Sequence, residues 1–145
     1  MDMTDEILLP APRDAVFAKL IDPDVLKDCI PGCDRLEKTS DTEMEAGVTL
    51  KIGPVKATFK GEVTLDLSEA PGRIVLSGKG NGGVAGFAKG SADVVLEDQG
   101  DQTLLKYEAQ ADVGGKLAQL GNRLVASTAK KLSGQFFECF AEKVG

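Results

Sequence analysis

The stretch Glu43-Met-Glu-Ala-Gly-Val-Thr-Leu-Lys-Ile52-Gly-Pro-Val55-Lys-Ala-Thr-Phe-Lys-Gly-Glu-Val-Thr-Leu65 decides the fold class. Met44, Ala46, Val48, Leu50 and Ile52 alternate with Glu43, Glu45, Thr49 and Lys51. After the turn signal Gly53-Pro54, Val55, Ala57, Phe59, Gly61, Val63 and Leu65 alternate with Lys56, Thr58, Lys60, Glu62 and Thr64. A period of two with one apolar and one polar side describes strands that bury one face and wet the other. Two such runs joined by Gly-Pro read as an antiparallel pair.

Further strands are expected near 34–39, 73–80, 86–97 and 103–113, with turns at Pro71-Gly72 and Asp98-Gln-Gly-Asp101. Residues 3–9 read as a first strand. Pro12 suits the first turn of a helix, where its missing N–H costs nothing. Val16, Phe17, Leu20 and Ile21 recur at helical spacing. Asp22-Pro23 ends that helix and opens a second, which Pro31-Gly32 stops. After Gly114-Gly115 the period returns to 3.6. Leu117, Leu120, Leu124, Thr128, Leu132, Phe136, Cys139 and Phe140 would share one face of a helix running from Lys116 to Val144, with a bend expected at Gly134. The order predicts an α+β domain over 1–145. A curved antiparallel sheet of about seven strands would wrap a long C-terminal helix, the one large element able to cover the apolar face.

Composition narrows the function. The chain has 145 residues, 42% of them hydrophobic and 28% charged, enough for one core of ordinary size. It has no histidine. That removes Ser–His–Asp triads, Cys–His pairs and His-ligated metals, and lowers the expectation of acid–base catalysis near neutrality. No cofactor or metal is expected. The net charge of −6 argues against nucleic-acid binding. The charge is uneven: residues 116–145 hold five basic and two acidic residues. An acidic N-terminus and an odd number of cysteines (Cys29, Cys33 and Cys139) point to a reducing cytoplasm and to inert thiols.

Four segments carry a resemblance. They are Cys29-Ile-Pro-Gly-Cys33, Ile52-Gly-Pro-Val-Lys-Ala-Thr-Phe-Lys-Gly61, Gly78-Lys-Gly-Asn-Gly-Gly-Val-Ala-Gly-Phe-Ala-Lys-Gly90, and Gly114-Gly-Lys-Leu-Ala-Gln-Leu-Gly-Asn-Arg-Leu124. In this order, over nearly the whole chain, they resemble the CoxG family of carbon monoxide dehydrogenase subunits. The element order resembles the helix-grip fold of the START-like (Bet v 1-like, SRPBCC) superfamily. The resemblance implies a non-enzymatic accessory protein that serves a molybdenum hydroxylase of the carbon monoxide dehydrogenase type. It would bind a small apolar ligand, quinone- or lipid-like, between sheet and helix. Some relatives carry a further C-terminal segment that attaches to the membrane; here at most peripheral membrane contact is expected. START-like relatives also include cyclases and hydrolases, so an enzyme acting on an enclosed hydrophobic substrate stays open as an alternative. So does an assembly factor that binds protein only.

Within this frame the candidate cavity residues are Phe59, Gly61, Ala88, Gly90, Ala92, Tyr107, Ala109, Ala111, Gly121, Leu124 and Thr128. Small residues on an inward face have two readings: they let a helix dock closely, or they leave a void that a ligand fills. The inward sets are expected to hold no Asp, Glu, Lys or Arg, which implies a neutral ligand. Tyr107 is either a core tyrosine or the one hydroxyl that orients the ligand. Lys116, Arg123 and Lys130 recur every seven residues and, with Lys131, form a basic stripe. It is either a solvated helix face or a surface that docks an acidic partner or anionic headgroups. Gly78-x-Gly80-x-x-Gly83 matches the dinucleotide fingerprint only if a helix follows it. The expected strand there favours a soft hairpin lip instead.

Overall fold

In the computed structural model, residues 1–145 form one seven-stranded antiparallel sheet with four helices. The strands are β1 (Asp2–Leu9), β2 (Cys33–Lys38), β3 (Glu43–Ile52), β4 (Val55–Asp66), β5 (Arg73–Asn81), β6 (Phe87–Gln99) and β7 (Gln102–Gly114). Their order across the sheet is β1-β7-β6-β5-β4-β3-β2, so β2 to β7 form a continuous meander and β1 closes its far edge. Helices α1 (Arg13–Leu20) and α2 (Pro23–Cys29) follow β1, while α3 (Lys116–Gln119) and α4 (Asn122–Val144) follow β7. This is the helix-grip arrangement expected from the sequence.

Register assigns the faces. Phe59, Leu65, Ile74, Val94, Leu96 and Leu105 are buried, and every second residue from them along each strand shares their side. The concave face therefore carries Val63 against Gly78, Gly61 against Gly80, Gly80 against Ala88, Gly90 against Ala111, and Ala92 against Ala109. On β1 the same side takes Met3, Asp5, Ile7 and Leu9, with Asp5 directly opposite Tyr107. An acidic residue thus stands on the concave side of the edge strand, exposed to solvent, although the inward-facing sets are expected to hold none.

The short helices form where the sequence placed them. Asp22 accepts a hydrogen bond from the Asp24 amide at 2.9 Å, and Pro23 occupies the first turn of α2. The C-terminal helix differs from expectation. It is broken at Gly121, which has φ of +92° and ends the short α3 before α4 starts. A left-handed backbone there favours glycine over any residue with a Cβ. The apolar positions Leu117, Leu120 and Leu124 continue in phase across the break, so periodicity alone does not reveal it. No bend is needed at Gly134, because α4 runs through it to Val144.

Packing is concentrated at the two ends of the grip. At one end Leu9, Val16, Leu20, Val25, Ile74, Val94, Leu96 and Leu105 enclose Phe140 of α4, with Phe136 and Phe137 against them. Leu26, Met44 and Leu65 extend this core toward β3. The buried Thr103 hydroxyl donates to the Ala11 carbonyl at 2.8 Å and fixes the chain between β1 and α1. Arg73 donates to both carboxylate oxygens of Asp93 (2.9 and 2.6 Å) and to Glu69 (2.7 Å) on the same margin. At the opposite end Phe59, Ala85 and Leu117 form a smaller cluster with Leu50, Val55, Val113 and Leu120 around it.

Cys29 and Cys139 form a disulfide that joins the end of α2 to α4 across 110 residues, with a Cα–Cα distance of 5.3 Å. This corrects the expectation of three inert thiols; only Cys33 is free. The two partners lie far apart in sequence, and nothing in their spacing signals the pairing. Lys143 pairs with Asp28 at 3.1 Å beside the bridge.

Candidate ligand cavity and its side mouth

Between the two packed ends, the centre of the concave face belongs to no packed cluster. Gly61, Gly78, Gly80, Ala88, Gly90, Ala109 and Ala111 on the sheet, and Leu124, Val125, Thr128 and Leu132 on α4, are all only partly buried. Apolar groups between a sheet and its covering helix lose their solvent contact when the layers touch. Here solvent still reaches them, so the layers stand apart at this level. The convex side differs in chemistry: its depression among Glu62, Lys79, Lys89 and Asp112 has no hydrophobic lining, and a second of about 820 Å³ is walled mainly by the charged side chains of Glu6, Asp93, Glu97, Lys106 and Glu108.

The space opens sideways along the edge formed by β1, β7 and α4. One cleft of about 390 Å³ is lined mainly by apolar residues, among them Ala111, Val113, Val125 and Ala126, with Asp112 and Asn122 also on its wall. The next along α4, of about 590 Å³, shares Ala126 and adds Asp2, Asp5, Tyr107, Lys130, Ser133 and Phe137. Tyr107 stacks on Phe137 with ring centroids 5.3 Å apart and planes 17° from parallel, and Phe136 meets Phe137 edge-on at 5.0 Å. Burial pushes the Tyr107 phenol above its ordinary range. The Asp5 charge adds to the rise, and a hydrogen bond with Ser133 works against it.

The candidate cavity residues therefore separate into groups. Ala88, Ala92, Ala109 and Ala111 share the concave face in adjacent strands. Tyr107 stands at the side mouth. Phe59 belongs elsewhere: it is buried in the cluster that plugs one end, its ring against Gly82. Gly121 forms the α3–α4 junction instead of lying on a helix face. Leu124 rests over the β3–β4 turn, where a Cβ on Gly53 would come within 3.0 Å of its side chain. Thr128 is partly buried on α4.

Gly61 and Gly90 have a backbone reason to be glycine. A Cβ on Gly90 would sit 2.7 Å from the Gln110 carbonyl oxygen, and one on Gly61 would sit 3.2 Å from that of Lys79. At these two positions close strand approach explains the small residue. Ala109 and Ala111 already carry a Cβ and are not explained this way.

The break at Gly121 also divides the basic stripe. Lys116 lies on α3, apart from Arg123, Lys130 and Lys131 on α4, so the four do not share one helix face. Lys130 lines the side cleft. Gly78 to Asn81 lie within β5, and a single 3₁₀ turn at Gly83–Ala85 leads into β6, so no helix N-terminus follows the glycine motif.

Solved structures share this architecture. A conserved protein from Geobacillus kaustophilus superposes with a TM-score of 0.91 at 29% identity, covering 99% of this chain and 95% of that one. A START superfamily protein from Mycobacterium smegmatis superposes with a TM-score of 0.72 at 13% identity (99% and 96% covered). A norcoclaurine synthase from Thalictrum flavum gives 0.66 at 14% (99% and 92%). The last two show a shared fold only. No curated protein matches the sequence. The family model that describes CoxG, a carbon monoxide dehydrogenase subunit, matches residues 6–145. With its seven-stranded grip and its small-residue concave centre, the chain belongs to the CoxG family of carbon monoxide dehydrogenase subunits.

Proposed function

We propose that the protein is a non-enzymatic binding protein, a single domain that holds a small apolar molecule of quinone- or lipid-like character between sheet and helix. In this reading it serves a molybdenum hydroxylase of the carbon monoxide dehydrogenase type as an accessory factor. The observation that carries the reading is the unpacked middle of the grip. Alanines on adjacent strands face partly exposed aliphatic residues of α4, while large side chains fill both ends. A space of this kind, apolar and bounded by a rigid sheet, suits a hydrophobic occupant. Lys116, Arg123 and Lys131, exposed on α3 and α4, would meet an acidic surface of the partner enzyme. No helix is long and apolar enough to cross a membrane.

A second reading, an enzyme acting on an enclosed substrate, draws on Asp5, Tyr107 and Lys130, which line one cleft. Asp5 and Lys130 are exposed at its mouth. Proton-transfer groups gain most of their effect where water is excluded, and this placement favours binding over catalysis.

Native mass spectrometry of protein purified without detergent, followed by organic extraction, tests the reading. An extractable apolar molecule bound one to one is expected. Absence of any bound molecule, together with association to a purified dehydrogenase of this type, would replace it with a protein-only assembly role.

A further inference from the structure

The side cleft carries polar groups that an apolar cavity does not use. Asp2 and Asp5 enter from β1, Asp5 opposite Tyr107 in register. Lys130 and Ser133 enter from α4 on the facing wall, and Phe137 stacks on Tyr107 behind them. At Gly134 nothing lies within 4 Å of where a Cβ would be, so the helix leaves room at this point.

Neither Asp5 nor Lys130 belongs to any of the protein's ion pairs. The one hydrogen bond the Asp5 side chain makes is local: its Oδ1 accepts from the Glu6 amide at 2.8 Å. Its other oxygen is left as an acceptor. Lys130 is a donor, and the Ser133 and Tyr107 hydroxyls can each donate or accept. A guest entering from the side meets an acceptor on the β1 wall, donors on the α4 wall and aromatic surface behind.

We propose that this cleft is a head-group subsite for a hydroxyaromatic ligand. The hydroxyl donates to the Asp5 carboxylate and accepts from Ser133, Tyr107 or Lys130, while the ring lies toward Phe137 and the small-residue centre. A carboxylate head would meet Asp2 and Asp5 as like charges, and an ammonium head, having no acceptor, would leave Lys130 unpaired. A neutral hydroxyl satisfies both walls. The volume of about 590 Å³ accommodates a molecule of one or two rings. This subsite rests on the reading of the concave centre as a ligand cavity.

The test compares 2-naphthol with 2-methylnaphthalene, a close isostere without the hydroxyl, by titration calorimetry. Wild type is expected to bind 2-naphthol roughly tenfold more tightly. Asp5→Ala combined with Ser133→Ala is expected to cut that preference to about twofold and to leave 2-methylnaphthalene binding unchanged. Tyr107→Phe keeps the stacked ring and removes only its hydroxyl. It is expected to lower the preference in the same direction, and it provides the readout should the double variant unfold. Equal binding of both probes by wild type, or a preference that the variants leave unmoved, overturns the subsite while the apolar cavity stands. Failure of wild type to bind either probe overturns the cavity reading and the subsite with it.

Discussion

The two halves of α4 meet the sheet in different ways. From Phe136 onward the helix is locked. Phe140 is fully buried among residues of β1, β5, β6, β7, α1 and α2, and Cys139 is bonded to α2. From Asn122 to Ser133 no residue is fully buried, and the opposing strands carry alanine and glycine. One helix thus serves as an anchor at its C-terminal end and as a loosely packed wall at the other. The difference shows that burying one end of a long helix fixes its direction, and small residues can then leave space under the rest.

The anchored half can be broken most severely. Phe140→Ala is expected to cost about 3–5 kcal/mol, the usual penalty for emptying a buried aromatic site, read as a lowered midpoint in urea unfolding. Removing the bridge with Cys29→Ser and Cys139→Ser comes next, at about 2–4 kcal/mol, because the tie closes a long loop in the unfolded chain. Comparing the oxidised and reduced wild-type protein in the same assay checks that value. Stability unchanged on reduction would show that hydrophobic contacts alone anchor the helix.

The open half should respond in binding more than in stability. Ala109→Phe is expected to displace a lipophilic dye while stability changes by less than about 1 kcal/mol. Overpacking a filled core would cost roughly 1–3 kcal/mol and would mark the alanines as spacers for close docking. Gly90 is unsuited to this test, since its substitution strikes the Gln110 carbonyl whether or not a cavity exists.

A smaller and opposite effect is expected at Gly134. Gly134→Ala should stabilise α4 by about 1 kcal/mol through helix propensity, seen as a raised melting temperature. The smallest effect belongs to the surface. Reversing Lys116, Arg123 and Lys131 to Glu should move stability by no more than about 0.5 kcal/mol. It should weaken association with an acidic partner at low salt, and high salt should erase that difference between the two proteins. Equal association of both at low salt would reduce these residues to solvated surface.

Most of the sheet is legible in the sequence because its signal is local. Alternation from Glu43 to Leu65 places each side chain on a face without knowledge of any distant residue. The two short helices are legible for the same reason, through Pro12 and Asp22-Pro23. The alanines of β6 and β7 can be assigned to one face, yet their meaning cannot be read, because close docking and a void use the same residues. Asp5 escapes a reading of residues 3–9 as a strand whose faces are not assigned. It emerges only when the alternation is followed through Met3, Asp5, Ile7 and Leu9.

The sequence by itself determined the antiparallel meander, the short helices after the first strand, the amphipathic C-terminal segment and the absence of histidine chemistry. Each follows from backbone periodicity, turn residues or composition. Only the tertiary structure decided that Cys29 meets Cys139, that the helix breaks at Gly121, and that Asp5, Tyr107, Lys130 and Ser133 share one cleft. These depend on how far α4 stands from the sheet and which of its turns faces β1. That spacing is set by the sum of many side-chain contacts at the packed ends, and no local stretch of the chain encodes it.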